Sequence, residues 1–121
     1  MKIAESAENY LETILVLSMS GASVHAVDIA AELEFSKPSV SVAMKNLRLG
    51  GYISIDEDSH ITLTETGRAI AEQMYERHTF LADWLRSLGV PKNTAVRDAC
   101  RMEHVLSAES FQAIKRAAGE R

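Results

Sequence analysis

The sequence predicts a mostly α-helical protein with one small β-hairpin: an N-terminal winged helix-turn-helix, then an all-helical region. Three patterns carry that expectation. Ala26–Leu33 and Ser36–Leu49 read as two helices joined by a tight turn at Glu34-Phe35. Two alternating runs, Tyr52-Ile53-Ser54-Ile55 and His60-Ile61-Thr62-Leu63-Thr64, flank the polar turn Asp56-Glu57-Asp58-Ser59. From Thr64 onward, apolar residues recur at helical spacing. The expected division is residues 1–70 for the winged unit and 71–121 for the helical one.

The first expected helix is Glu8–Ser18. Tyr10, Leu11, Ile14, Leu15 and Leu17 supply its apolar side, and Ser6 is placed to cap it. Asn9 and Glu12, three residues apart, lie close to that side. Gly21–Val24 breaks the helix. In Ala26–Leu33, the residues available for packing are Val27, Ile29, Ala30 and Leu33. Ser36 caps the next helix, and Pro38 sits in its first turn, where a missing N–H costs little. Val40, Met44 and Leu47 are its core stripe, and Gly50-Gly51 is its stop.

Thr64 caps a long helix on which Ile70, Met74, His78 and Leu81 share a face, and Phe80–Leu88 continues it. Gly89-Val90-Pro91 is a break. Asn93 or Thr94 is expected to cap the helix that carries Cys100, Glu103 and His104. Ser107 starts a last helix over Ala108–Ala118, and Gly119-Glu120-Arg121 is expected to fray.

A chain of 121 residues, 46% of them hydrophobic, is one domain or two small units. No run approaches the roughly 18 apolar residues of a membrane span. Met1–Ser6 is too polar for a secretory signal. A single cysteine excludes an internal disulfide framework, so the cytoplasm is the expected compartment. The net charge is −4, yet residues 35–50 carry Lys37, Lys45 and Arg48 with no acid. Local charge, not the total, governs phosphate contact. The one purely basic segment is also the second helix of the helix-turn-helix. Ser36, Lys37, Pro38, Ser39 and Ser41 are therefore expected in the major groove of double-stranded DNA, with Lys45 and Arg48 near phosphate. The acidic wing tip is expected to touch DNA weakly or through its backbone. The apolar content after the wing points to a homodimer, with Trp84, Leu85 and Phe111 as candidate contacts.

Cys100, Glu103 and His104 occupy positions i, i+3 and i+4 of one helix and project together. Sulfur, oxygen and nitrogen donors suit a divalent transition metal, whereas Mg²⁺ or Ca²⁺ would want oxygens only. One helix does not close a site, and Glu12, His78 and Asn9 are candidates for the remainder. Each has a plainer reading: a buried apolar-like cysteine, a core histidine, an exposed helix glutamate.

In this order the motifs resemble the metal-dependent repressors of the diphtheria toxin repressor and manganese transport regulator family, over roughly Ser6–Lys115. The matching residues are Asn9-Tyr10-Leu11-Glu12-Thr13-Ile14, Asp28-Ile29-Ala30-Ala31-Glu32-Leu33, Pro38-Ser39-Val40, Leu63-Thr64-Glu65-Thr66-Gly67, Arg77-His78 and Cys100–Ser107. The resemblance implies that Cys100, Glu103 and His104 are ligands of the effector metal. Cys100 is the iron-type choice, while Glu12 and His78 match the manganese-type site. Asn9 stands where manganese members carry Asp and iron members Met. Ala82 and Val96 replace donors of the iron-type ancillary site, which is expected to be absent. Val42 stands where some members carry an amide. Longer members add an SH3-like domain, for which this chain is too short.

The resemblance thus implies a cytoplasmic, homodimeric repressor controlling metal homeostasis. Mn²⁺ or Fe²⁺ would activate it, with Co²⁺, Ni²⁺ or Zn²⁺ substituting in vitro. Membranes, small-molecule substrates and catalysis are not expected. Two other classes fit parts of the pattern. A winged-helix regulator sensing thiol oxidation at Cys100 or a protein partner would show no metal response in DNA affinity. A metalloenzyme would need an open coordination position and a dedicated base, and turnover assays separate it.

Overall fold

The computed structural model describes residues 4–119. They form two compact units, with the boundary after Glu72. The first holds α1 (Glu5–Ser18), α2 (Ala26–Leu33), α3 (Lys37–Leu49), β1 (Ile53–Ile55) and β2 (Ile61–Leu63). Helix α4 (Glu65–Ser87) starts in the first unit and ends in the second, which continues with α5 (Lys92–Val105) and α6 (Ala108–Gly119).

The core of the first unit is built from Leu11, Ile14, Ile29, Val40, Met44, Leu47, Ile53 and Ile61, all buried. Each such side chain contributes about 1.5–3 kcal/mol relative to exposure. The hairpin is antiparallel, pairing Ile53 with Leu63 and Ile55 with Ile61. Its inner residues alternate with outward Ser54 and Thr62. Val24 extends it by one bridge, donated by the Ile61 N–H at 2.8 Å. The turn between α2 and α3 relies on Glu34 in the left-handed region at φ 58°. Thr64 fixes the exit of the wing: its hydroxyl donates to the Gly51 carbonyl at 2.7 Å and accepts from the Gly67 N–H at 3.2 Å. A Cβ at position 67 would collide with the Tyr52 carbonyl oxygen, so only glycine fits there.

In the second unit Leu81, Ala82, Ala99 and Phe111 are buried together, with Phe80, Trp84, Met102 and Leu106 packed around them. Phe80 meets Phe111 edge to face at 5.7 Å.

Several expectations need correction. Ser6 lies inside α1, whose N-cap is Ala4 with no side-chain hydrogen bond. Val27 points outward at 53% exposure, because Ile29 and Ala30 take the inward positions of the short α2. Asn93 and Thr94 are within α5, which starts two or three residues earlier, after Pro91. Phe111 is a core residue at 2% exposure and cannot serve as an exposed dimer contact. Glu120 and Arg121 of the expected frayed end, and Met1–Ile3, lie outside the described residues.

Candidate functional site

Glu103 is the buried centre of the second unit's polar chemistry. Ala95, Ala99 and Glu103 fall four apart on α5, and all three are at 0% exposure. A carboxylate thus continues a stripe that two alanines use for packing. Among the described residues, none donates a hydrogen bond to either of its oxygens. Two imidazoles face it: His78 Nδ1 of α4 and His104 Nε2 of α5 each lie 3.7 Å from Glu103 Oε1. That is beyond hydrogen-bond reach. It is close to the spacing of neighbouring ligands on one ion, since donors about 2.1 Å from a transition metal stand roughly 3.0–3.6 Å apart. A buried carboxylate without donors costs on the order of several kcal/mol unless positive charge lies beside it. The donor set of carboxylate and imidazole fits a divalent transition metal.

Arg77 fixes the backbone beneath these ligands. It is 6% exposed, and its Nη1 donates to the carbonyls of Glu103 at 3.0 Å and Leu106 at 2.7 Å. Carbonyls in a last helical turn lack intrahelical partners, and the guanidinium satisfies them. Its cationic carbon also sits 5.2 Å from the Phe111 ring centre. In the sequence Arg77 stands in the Arg77-His78 motif, which by itself assigns it no role. The available signal was its position beside His78 on the apolar stripe of α4.

The Cys100 thiol is exposed, because Ala99 takes the inward position in that turn of α5. Among the described residues it joins no group of three or more donor atoms within 4.8 Å of one another. Glu12 is buried at 8% exposure on α1, and Asn9 is half-buried one turn before it. Ala82 is buried and Val96 is 39% exposed, and neither offers a donor.

In the first unit Ser36, Lys37, Pro38, Ser39, Ser41, Lys45 and Arg48 are all exposed, opposite the buried Val40, Met44 and Leu47. The Ser36 side chain accepts from the Ser39 N–H at 3.3 Å and thereby caps α3. Ser41, Lys45 and Arg48 face Ile55, Asp56 and Ser59 of the hairpin across a groove of about 490 Å³. The wing tip holds its acids in an ordered turn. Backbone N–H groups of His60 and Asp58 donate to Asp56 Oδ1, each at 2.9 Å. These bonds, that from His60 foremost, hold the Asp56 carboxyl below the usual carboxylate range. His60 Nδ1 lies 3.2 Å from the other Asp56 oxygen, and its ring meets His25 edge to face at 4.7 Å. His25 and Asp28 form a capping box for α2, which a rule based on Ser, Thr, Asp or Asn caps does not reveal. Among the described residues, no helix is long and apolar enough to cross a membrane.

Residues 2–61 match the family model "Iron dependent repressor, N-terminal DNA binding domain". Residues 64–120 match "Iron dependent repressor, metal binding and dimerisation domain". The transcriptional regulator MntR of Salmonella typhimurium is 35% identical over 109 residues, covering 90% of this chain and 69% of that protein. The iron-dependent repressor IdeR of Mycobacterium tuberculosis is 32% identical, covering 89% of this chain and 47% of that one. A solved manganese-dependent transcriptional repressor in complex with manganese superposes with a TM-score of 0.84 at 26% identity, covering 93% of this chain and 52% of the other.

Proposed function

This chain belongs to the iron-dependent repressor family, and we propose that Mn²⁺ or Fe²⁺ held by Glu103, His104, His78, Cys100, Glu12 and Asn9 switches on its DNA binding. It is a metal-activated transcriptional repressor, not an enzyme, and its partners are double-stranded DNA and a second copy of itself. The observation that carries the ligand proposal is the Glu103 carboxylate, fully buried, without a hydrogen bond, and 3.7 Å from two imidazole nitrogens.

A bound divalent cation supplies the positive charge that this carboxylate needs. Glu103 gives it oxygen, and His78 and His104 give it nitrogen. Arg77 keeps the last turn of α5 from shifting beneath the ligands. Glu12, Asn9 and Cys100 enter on the strength of the sequence motif, with the burial of Glu12 in support. In this reading residues 71–121 hold the metal and pair the subunits, and residues 1–70 read DNA. Ser36, Lys37, Pro38, Ser39 and Ser41 meet the major groove, and Lys45 and Arg48 meet phosphate. Metal favours the DNA-competent state because the ligands bind it more tightly there than in the slack state. The regulated genes serve supply of the same metal, in the cytoplasm.

The test is duplex binding by the full chain, titrated with free Mn²⁺ or Fe²⁺ in the absence of oxygen. Metal raises wild-type affinity, by about 5–150-fold for an ordinary coupling, and leaves Glu103→Gln where it started. A wild-type affinity indifferent to both ions refutes the proposal.

A further inference from the structure

We propose that Val42 reads the C5-methyl group of a thymine in the operator's major groove. The inference rests on the DNA-binding reading and deepens it to a single base contact.

Val42 is 61% exposed, while Val40 and Met44, two residues to either side, are at 0% and 2%. It therefore lies opposite the core stripe, in line with exposed Pro38 one turn before and exposed Lys45 one turn after. Single exposed apolar residues are common on protein surfaces, so exposure alone decides nothing. Its place does. The N-terminal half of the second helix of a helix-turn-helix presents its outward side chains to base edges. Helix propensity does not favour a β-branched residue there, and Val42 is not among the residues of the core.

The polar neighbours do not read a thymine methyl. The Ser36 hydroxyl donates to Ser39 Oγ at 2.8 Å and accepts from the Ser39 N–H at 3.3 Å, so both serines serve the cap of α3. Lys37 and Ser41 remain: an ammonium pairs with guanine, and a hydroxyl hydrogen-bonds to any base and discriminates poorly. Lys45 and Arg48 sit further along the helix, at the groove beside the hairpin. Beside Lys37 and Ser41 at the base-reading turns stands an exposed apolar pair, Pro38 and Val42, four residues apart. Of the four bases only thymine displays a methyl in the major groove, and apolar side chains are what recognise it.

Deoxyuridine substitution isolates that methyl. The metal-loaded full chain first selects its preferred duplex from a random library. Each thymine is then replaced by deoxyuridine, which removes the methyl and nothing else. At one position in each half-site, wild-type affinity falls about fourfold, the worth of one buried methyl. In Val42→Ala that dependence shrinks to about one at the same position, while Val42→Thr, which keeps one of the two methyls, retains part of it. Methyl dependence unchanged in Val42→Ala overturns the assignment, as does a selected duplex in which no thymine methyl matters. If no sequence is selected with either metal, the repressor reading fails and this inference falls with it.

Discussion

The protein contains two clusters of the same chemistry in opposite surroundings. Glu103, His78 and His104 in the second unit, and Asp56, Asp58 and His60 at the wing tip, both bring carboxylates within reach of imidazole. At the wing, Asp56 is exposed and two backbone N–H groups satisfy one oxygen. Glu103 is fully buried and nothing donates to it. Backbone donors have done for the wing what a cation would do for Glu103. The difference teaches that residue types alone do not point to a metal; it is burial without hydrogen-bond donors that makes the Glu103 cluster the proposed site.

The largest expected effect comes from breaking the buried cluster. Glu103→Gln or His104→Ala abolishes activation of DNA binding by any metal, whereas Asp58→Asn at the wing leaves the metal dependence where it was. Operator affinity against free Mn²⁺ and Fe²⁺ reads all three. Equal metal responses in Glu103→Gln and Asp58→Asn would erase the distinction between the clusters.

A smaller effect sharpens it. Thiolate is softer than carboxylate, so Cys100→Glu is expected to move activation toward Mn²⁺ relative to Fe²⁺, by about tenfold, without abolishing it. The same measurement on Cys100→Ala shows whether the exposed thiol takes part at all. If both activation curves stay in place, Cys100 is no ligand and the metal is held by the buried residues alone.

How legible was this from the sequence? The helix-turn-helix was, because its signals are local. Ser36 and Pro38 open α3, and Gly50-Gly51 closes it. The hairpin was legible from strict alternation. The caps of α1 and α5 were misread, because Ala4 and Pro91 offer no capping side chain and leave no mark for a residue-type rule to find. Phe111 was misassigned because an amphipathic helix reads the same whether its apolar stripe meets its own core or a partner. Glu103 and His104 were legible as a pair at helical spacing. The inward turn of Ala99, which leaves the Cys100 thiol exposed, was not: spacing on a helix gives a shared face only to within a wide sector. The role of Arg77 was hidden because its partners are backbone carbonyls, which no motif spells.

At the exposed end of the comparison, charge acts on DNA through phosphate. Lys45→Ala is expected to weaken binding to every duplex alike, by a few fold at moderate salt, and to reduce the slope of log affinity against log salt by about one. Binding isotherms across a salt series on specific and random duplexes give both numbers. A loss confined to the preferred sequence, with the slope unchanged, would move Lys45 from phosphate to a base.

The smallest effect concerns Asp56 itself. Its folded-state carboxyl is held below the ordinary value of 3.8, chiefly by the His60 N–H. The ionised form is thus the one the folded wing prefers, and the folded value lies below the unfolded one. The resulting stabilisation is full above about pH 4 and is lost as pH falls through the folded value. Asp56→Ala removes both backbone acceptor bonds and should lower the melting temperature slightly at pH 5–7. Below pH 4 the gap to wild type should narrow, since the wild type then loses the same interaction by protonation. Full exposure to water keeps the effect small and salt-sensitive. Thermal melts of both proteins between pH 3 and 7 decide it. A gap that holds constant down to pH 3 would mean that Asp56 acts on the turn through shape rather than charge.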